Sequence, residues 1–184
     1  MKKTLLVLLF ILAAVLMAAC GDDDAEIGTQ LLSSENGYSF SIPADWQVET
    51  DGYDYICHGY NGAVYLISRS EIGGNNYYTL EEMADKLAAK ADELGELTVA
   101  ATPLSGKNQL WRSYKGAGEA RVDVYICQPG EGVRFYLIFA AEENGYAVLK
   151  PQIESIIKSF NLELTEVEYY QLIDERRTIE NDAA

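Results

Sequence analysis

The eight residues 133–140, VRFYLIFA, are apolar on both faces of the strand that their composition predicts. Residues 64–67, VYLI, have the same character. A strand buries both of its faces only when other elements cover both sides of its sheet. The two stretches therefore predict one sheet that lies between two covering layers.

Further strands and helices are predicted on either side of these two stretches. The predicted strands cover residues 38–42, 53–58, 63–68, 97–102, 109–115, 120–128 and 133–141. Their connections are short and rich in glycine, as at Asn61-Gly62, which favours hairpins and a mainly antiparallel sheet.

Three predicted helices accompany the strands. Thr79 and Glu82 form a capping box, which is typical of a helix start, and an apolar stripe then continues to Leu94. The other two helices cover residues 146–160 and 166–177. The predicted fold class is α+β: a central antiparallel sheet of about six to eight strands with helices on both faces, an α/β/α sandwich.

Two motifs resemble those of the PsbP-like superfamily. Residues 38–46, YSFSIPADW, look like its opening motif, and residues 153–160, IESIIKSF, look like its closing helix. The resemblance covers about residues 36–161 and implies a central antiparallel sheet between helices. The superfamily includes an extrinsic protein of photosystem II, a Ran-binding nuclear import factor and many bacterial lipoproteins. Because these functions differ so widely, the resemblance assigns no functional residue.

The first nineteen residues have the three parts of a secretory signal peptide. Lys2 and Lys3 precede an apolar run over residues 4–15, and small residues lead to Cys20. The segment resembles a bacterial lipobox, with Met17 where leucine is usual. We therefore expect cleavage after residue 19 and lipid attachment at Cys20. The alternative is an uncleaved signal anchor with an incidental cysteine.

This signal predicts an extracytoplasmic protein that contacts a bacterial membrane through its lipid anchor. The membrane would be the cytoplasmic one at its outer face, or the outer membrane of a Gram-negative host. The predicted organisation is a signal peptide (1–19), a lipidated and flexible acidic tether (20–36), a PsbP-like domain (37–161) and a C-terminal helix with an acidic tail (162–184). The net charge of −15 argues against nucleic acid as a partner.

The chemistry-bearing residues predict no catalytic site. His58 is the only histidine, and the neighbouring Cys57 should point to the opposite face of its strand, so the two cannot form a nucleophile pair. We also expect no metal and no cofactor. The leading hypothesis is a non-catalytic binding or accessory module for an envelope protein or another envelope ligand. The alternative is a cell-envelope hydrolase that uses carboxylates.

Three further groups of side chains carry expectations. Cys57 and Cys127 form either a disulfide or two separate reduced thiols. Tyr77 and Tyr78 cannot both be buried in regular structure, so they are candidate ligand contacts. The charged residues on neighbouring predicted strands favour a cross-strand ion-pair ladder over a polar pocket; they are Arg112, Arg121, Asp123 and Arg134.

Overall fold

A computed structural model describes residues 28–52, 54–60, 63–90, 96–116 and 120–182. The predicted signal peptide, Cys20 and the Asn61-Gly62 turn lie outside these ranges. Among the described residues, no helix is both long and apolar enough to span a membrane.

The described chain contains ten strands and three helices. The strands are β1 (Thr29–Ser34), β2 (Tyr38–Pro43), β3 (Gln47–Asp51), β4 (Asp54–Gly59), β5 (Val64–Ile72), β6 (Thr98–Ser105), β7 (Gln109–Lys115), β8 (Ala120–Gly130), β9 (Val133–Glu142) and β10 (Asn161–Leu162). The helices are α1 (Leu80–Ala89), α2 (Glu143–Ser159) and α3 (Glu166–Asp182).

Seven strands form the main sheet, in the order β3-β4-β5-β9-β8-β7-β6, and every neighbouring pair is antiparallel. A second sheet has the order β1-β2-β10. Strand β9, which holds the sequence VRFYLIFA, is the central strand of the main sheet. The predicted α+β class and the mainly antiparallel sheet are confirmed.

Different layers cover the two faces of the main sheet. Helix α1 lies on one face, where Ala84 packs in a cluster with Val124 and Tyr136. Helices α2 and α3 and the small sheet lie on the other, where Ile153 and Phe135 share one core. Neighbouring residues of β9 therefore point into different cores, which explains why this strand is apolar on both faces.

The predicted domain boundary at residues 37 and 161 is wrong at both ends. Strand β1, within the predicted tether, pairs with β2 along its full length, from Thr29 opposite Pro43 to Ser34 opposite Tyr38. At the other end, β10 pairs with β2, and α3 buries Tyr169 in the core. Pairing satisfies the backbone polar groups of β1 that face β2, and side-chain burial anchors α3, so both segments belong to the folded unit.

Candidate functional site

The most distinctive surface recess lies at the start of α1. Thr79 is the N-cap of this helix: its hydroxyl accepts from the Glu82 backbone N–H at 3.2 Å, and the Glu82 carboxylate accepts from the Thr79 N–H at 2.9 Å. The predicted capping box is therefore present. It fixes where the helix begins, and with it the position of the two preceding tyrosines.

Tyr77 and Tyr78 line this recess. Their exposed fractions are 80% and 40%, so the expectation that the pair could not both be buried agrees with the structure. The ammonium nitrogen of Lys86 lies 4.2 Å from the centroid of the Tyr78 ring. This cation–π contact holds Tyr78 against α1, while Tyr77 projects into solvent.

The guanidinium of Arg134 also lines the recess, from the central strand β9. The residue is only 2% exposed. Its Nε donates to the side-chain oxygen of Gln128 at 2.7 Å, and its Nη2 donates to the carbonyl oxygen of Tyr78. Its Nη1 is buried and donates to no group of the described residues. These two acceptors are neutral, as is the Tyr136 hydroxyl, which also interacts with Arg134, so the three groups orient the guanidinium without neutralising its charge.

The recess has a volume of about 410 Å³. This size suits a small ligand or one group of a larger one. Lys107 and Asn76 also line it, and the side-chain nitrogen of Asn76 is a second buried donor without a partner among the described residues. Glu81 contributes one acidic side chain. Two cations, Arg134 and Lys107, and two unused donors therefore meet at the N-terminus of α1, whose first turn carries the carboxylates of Glu81 and Glu82.

Backbone irregularity helps to build this corner. The pairing of β8 with β9 shifts register between Cys127 and Gly130, and Gln128 lies within that shift. The backbone N–H of Gln128 donates to the carbonyl of Asn108, in the turn that carries Lys107. Bulges at the rim of a sheet redirect side chains, and here the bulged segment supplies the amide that orients Arg134.

The structure does not support a disulfide between Cys57 and Cys127. Both thiols are free and buried, and β5 and β9 separate their strands. Three strand spacings correspond to about 14 Å, whereas a disulfide needs Cα atoms within about 7 Å. The register adds to this separation, since Cys57 is level with Asp123, four residues from Cys127 along β8.

Burial also makes both thiols poor nucleophiles. It raises the pKa of Cys57 to about 12. Burial likewise raises the pKa of Cys127 to about 11, although hydrogen bonds from Tyr125 and Gln109 oppose the shift. Each thiol therefore remains protonated at neutral pH, and the thiolate is the reactive form.

His58 lies on the face of β4 opposite to the buried Cys57, as strand alternation predicts. Its Nε2 is 3.8 Å from a carboxylate oxygen of Glu49, and its ring packs edge-on against Tyr65 with centroids 4.5 Å apart. Among the described residues, no group of three or more histidine, cysteine, aspartate or glutamate side chains could hold a metal ion.

The four charged residues do not form the predicted ion-pair ladder, because they lie on two different faces of the main sheet. Strand alternation places Arg112 and Arg134 on the α1 face, and Arg121 and Asp123 on the opposite face. Arg112 pairs with Asp85 of α1 at 2.9 Å. Of the four residues, only Arg134 lies in a polar pocket. That pocket is formed by residues from other parts of the chain and not by Arg112, Arg121 or Asp123.

Sequence and structure comparisons give different results. No family model matches the chain, and no curated protein matches it. The structure is similar to the solution structure of PsbP from the cyanobacterium Synechocystis, with a TM-score of 0.54 and 15% identity. That match covers 78% of this chain and 96% of the cyanobacterial one. A crystal structure from Bacteroides thetaiotaomicron gives a TM-score of 0.43 at 16% identity and covers 75% of this chain. This chain spans about half, 49%, of the Bacteroides protein.

The similarity to the cyanobacterial structure shows the fold of the protein, an α+β arrangement like that of PsbP. This is the fold that the resemblance of residues 38–46 and 153–160 implied. At 15% sequence identity, the structural similarity shows only a shared fold. The function of the site must therefore be inferred from its own residues.

Proposed function

We propose that the protein is a lipid-anchored, extracytoplasmic binding module that holds a ligand in the recess at Tyr77 and Tyr78 without chemical turnover. One observation carries this proposal: two adjacent tyrosines, 80% and 40% exposed, border a recess that also contains a buried guanidinium. Tyrosine offers a large contact area at low conformational-entropy cost, and solvent-exposed aromatic side chains are common at contact surfaces.

The lipobox at Cys20 supports the cellular context of this proposal. A diacylated residue is a stable membrane anchor, so the domain needs no membrane-binding surface of its own. The anchor would hold the recess near the membrane surface, where envelope components are concentrated.

The rival hydrolase would need a pair of carboxylates accessible to substrate. Asp54 and Asp123 are the two most buried carboxylates among the described residues. Asp54 accepts from the Tyr38 hydroxyl at 3.0 Å and from the Ser70 hydroxyl at 2.6 Å. Asp123 accepts from the indole of Trp111 at 2.7 Å. Such neutral donors in the interior suit a structural role, which favours the binding module.

In-cell crosslinking followed by mass spectrometry tests the proposal. Wild-type protein should crosslink reproducibly to a small set of envelope components, and Tyr77→Ala with Tyr78→Ala should weaken that set. Tyr65→Ala is the matched control, because Tyr65 is 43% exposed but lies near the opposite end of β5. Neither change should lower the melting temperature substantially.

Two results would contradict the binding module. One is a crosslinked set that responds equally to the Tyr65 control and to the double variant. The other is metal-independent cleavage of a glycan or peptide that a single Asp or Glu substitution abolishes without unfolding the protein.

A further inference from the structure

Arg134 is a buried cation with no carboxylate in direct contact; Glu71 stands opposite it in the pairing of β5 with β9, and the Tyr136 hydroxyl interacts with both side chains. Among the described residues, no carboxylate oxygen lies within the 4.0 Å of an ion pair with it. The adjacent Tyr136 does not supply a charge. Its hydroxyl donates to Glu71, and burial, with a further contribution from Glu71, raises its pKa above the ordinary value while Arg134 opposes the shift. Because Glu71 does not contact the guanidinium, part of the cost of burying this charge is unmet, and Nη1 is left as an unused donor.

The groups around Arg134 share one preference. Its Nη1 and the side-chain nitrogen of Asn76 are unused donors, and Lys107 adds a second positive charge to the same recess. The N-terminus of the ten-residue helix α1 also lies there, with backbone N–H groups at its first turn. Each of these groups favours a negatively charged oxygen, and Glu81, in the first turn of α1, is the carboxylate of the lining that opposes one.

We propose that the recess binds an oxyanion, a carboxylate or a phosphate monoester, carried on a ring that packs against Tyr77. The inference rests on the proposed binding function and names the chemical class of its ligand. The oxyanion accepts hydrogen bonds from Nη1 of Arg134 and from the Asn76 amide, while Lys107 adds attraction from the rim. Nη1 of Arg134 and the Asn76 amide nitrogen are both out of contact with water, so the proposal requires the side chains that line the recess to move when the oxyanion binds.

Four simple compounds separate the parts of this inference in calorimetric titrations of the full chain in detergent. Benzoate should bind, and benzamide, its neutral analogue, should not. Comparing the affinity for phenyl phosphate with the affinity for benzoate shows whether the recess prefers a phosphate monoester or a carboxylate. Benzoate should bind more tightly than acetate, and this advantage should disappear in Tyr77→Ala if the ring packs on that side chain.

Substitutions locate the site. Arg134→Met should weaken benzoate binding about 10- to 100-fold, as expected for loss of a charged hydrogen bond. Asn76→Asp places a carboxylate in the recess and should abolish binding without unfolding the protein, so it remains decisive if Arg134→Met fails to fold. Lys107→Gln should weaken binding about two- to fivefold. The control is Lys150→Gln, which removes an exposed charge on α2, on the opposite face of the main sheet.

The inference is overturned if benzamide binds as tightly as benzoate, if Asn76→Asp binds like the wild type, or if no anion binds. These failures differ from failure of the proposed function. A crosslinked set that still depends on Tyr77 and Tyr78 would leave the binding module intact while removing the oxyanion as its ligand.

Discussion

Replacing Tyr169 by alanine tests whether the C-terminal helix α3 belongs to the folded domain. The Tyr169 ring is 2% exposed and lies 5.6 Å from the Phe135 ring, and its hydroxyl donates to the carbonyl of Gly37. Truncating a buried aromatic side chain costs about 3–5 kcal/mol, and Tyr169→Ala should reduce the free energy of unfolding by that amount.

The conservative variant separates packing from hydrogen bonding. The carbonyl of Gly37 also accepts from the backbone N–H of Glu163 at 2.8 Å, so it keeps a partner when the phenol is removed. Tyr169→Phe should therefore cost only about 1 kcal/mol. On the same helix, Tyr170 is 43% exposed, and Tyr170→Ala should change stability by less than about 0.5 kcal/mol.

Urea denaturation measures all three variants through their midpoints at constant m-value. Equal effects of Tyr169→Ala and Tyr170→Ala would refute the reasoning. In that case α3 would not pack on the core, and a domain that ends at residue 161 would be correct.

Two other predictions concern the opposite end of the core and its thiols. A Cβ at Gly59 would clash with the Trp46 ring, so Gly59→Ala should destabilise the fold. Truncating the buried indole in Trp46→Ala should cost about 3–5 kcal/mol. Equilibrium unfolding that shows neither loss would contradict this packing. The unfolded chain releases thiol protons near pH 9, whereas folded Cys57 and Cys127 hold theirs to about pH 12 and 11. The unfolded state therefore binds fewer protons above pH 9, and stability should fall by about 1.4 kcal/mol per pH unit for each thiol over its window. Buried tyrosines such as Tyr38 and Tyr136, whose pKa values burial also raises, add a similar loss of stability above pH 10. Urea titrations from about pH 8 to 10 therefore test the thiols, with Cys57→Ala as the variant that should reduce the slope.

Local sequence patterns were sufficient to predict the central part of the fold. The two-faced apolar stretch at residues 133–140 correctly implied a covered sheet, because each of its faces had to meet a separate core. The capping box at Thr79 placed the start of α1 correctly, since it depends on residues only three positions apart.

The two segments that the sequence placed outside the domain, β1 and α3, gave weak local signals for packing on it. Strand β1 exposes Leu31 and carries polar residues, so its sequence shows no clean alternation. Helix α3 is mostly polar, and its core contacts come chiefly from Tyr169 and Ile173. For both segments, pairing or packing with distant residues decides the structure, which no local pattern contains.

The site could be predicted only in part. The sequence singles out Tyr77 and Tyr78 as a pair that cannot both be buried, but the recess also takes Lys107, Gln128 and Arg134 from other parts of the chain. Only the register of β8 against β9 and the position of α1 bring Gln128, Asn76 and Lys107 to the same recess. Strand order likewise rules out the disulfide, since it places two strands between β4 and β8.

The most direct test of the central claim is to map where a ligand binds. Amide chemical shifts of the isotopically labelled chain should be recorded during titration with benzoate. The largest changes should fall at residues 76–79, at Lys107 and at Arg134, with little change near Tyr65 at the distant end of β5. Changes centred elsewhere, or spread evenly over the sheet, would show that the recess at the start of α1 is not the binding site.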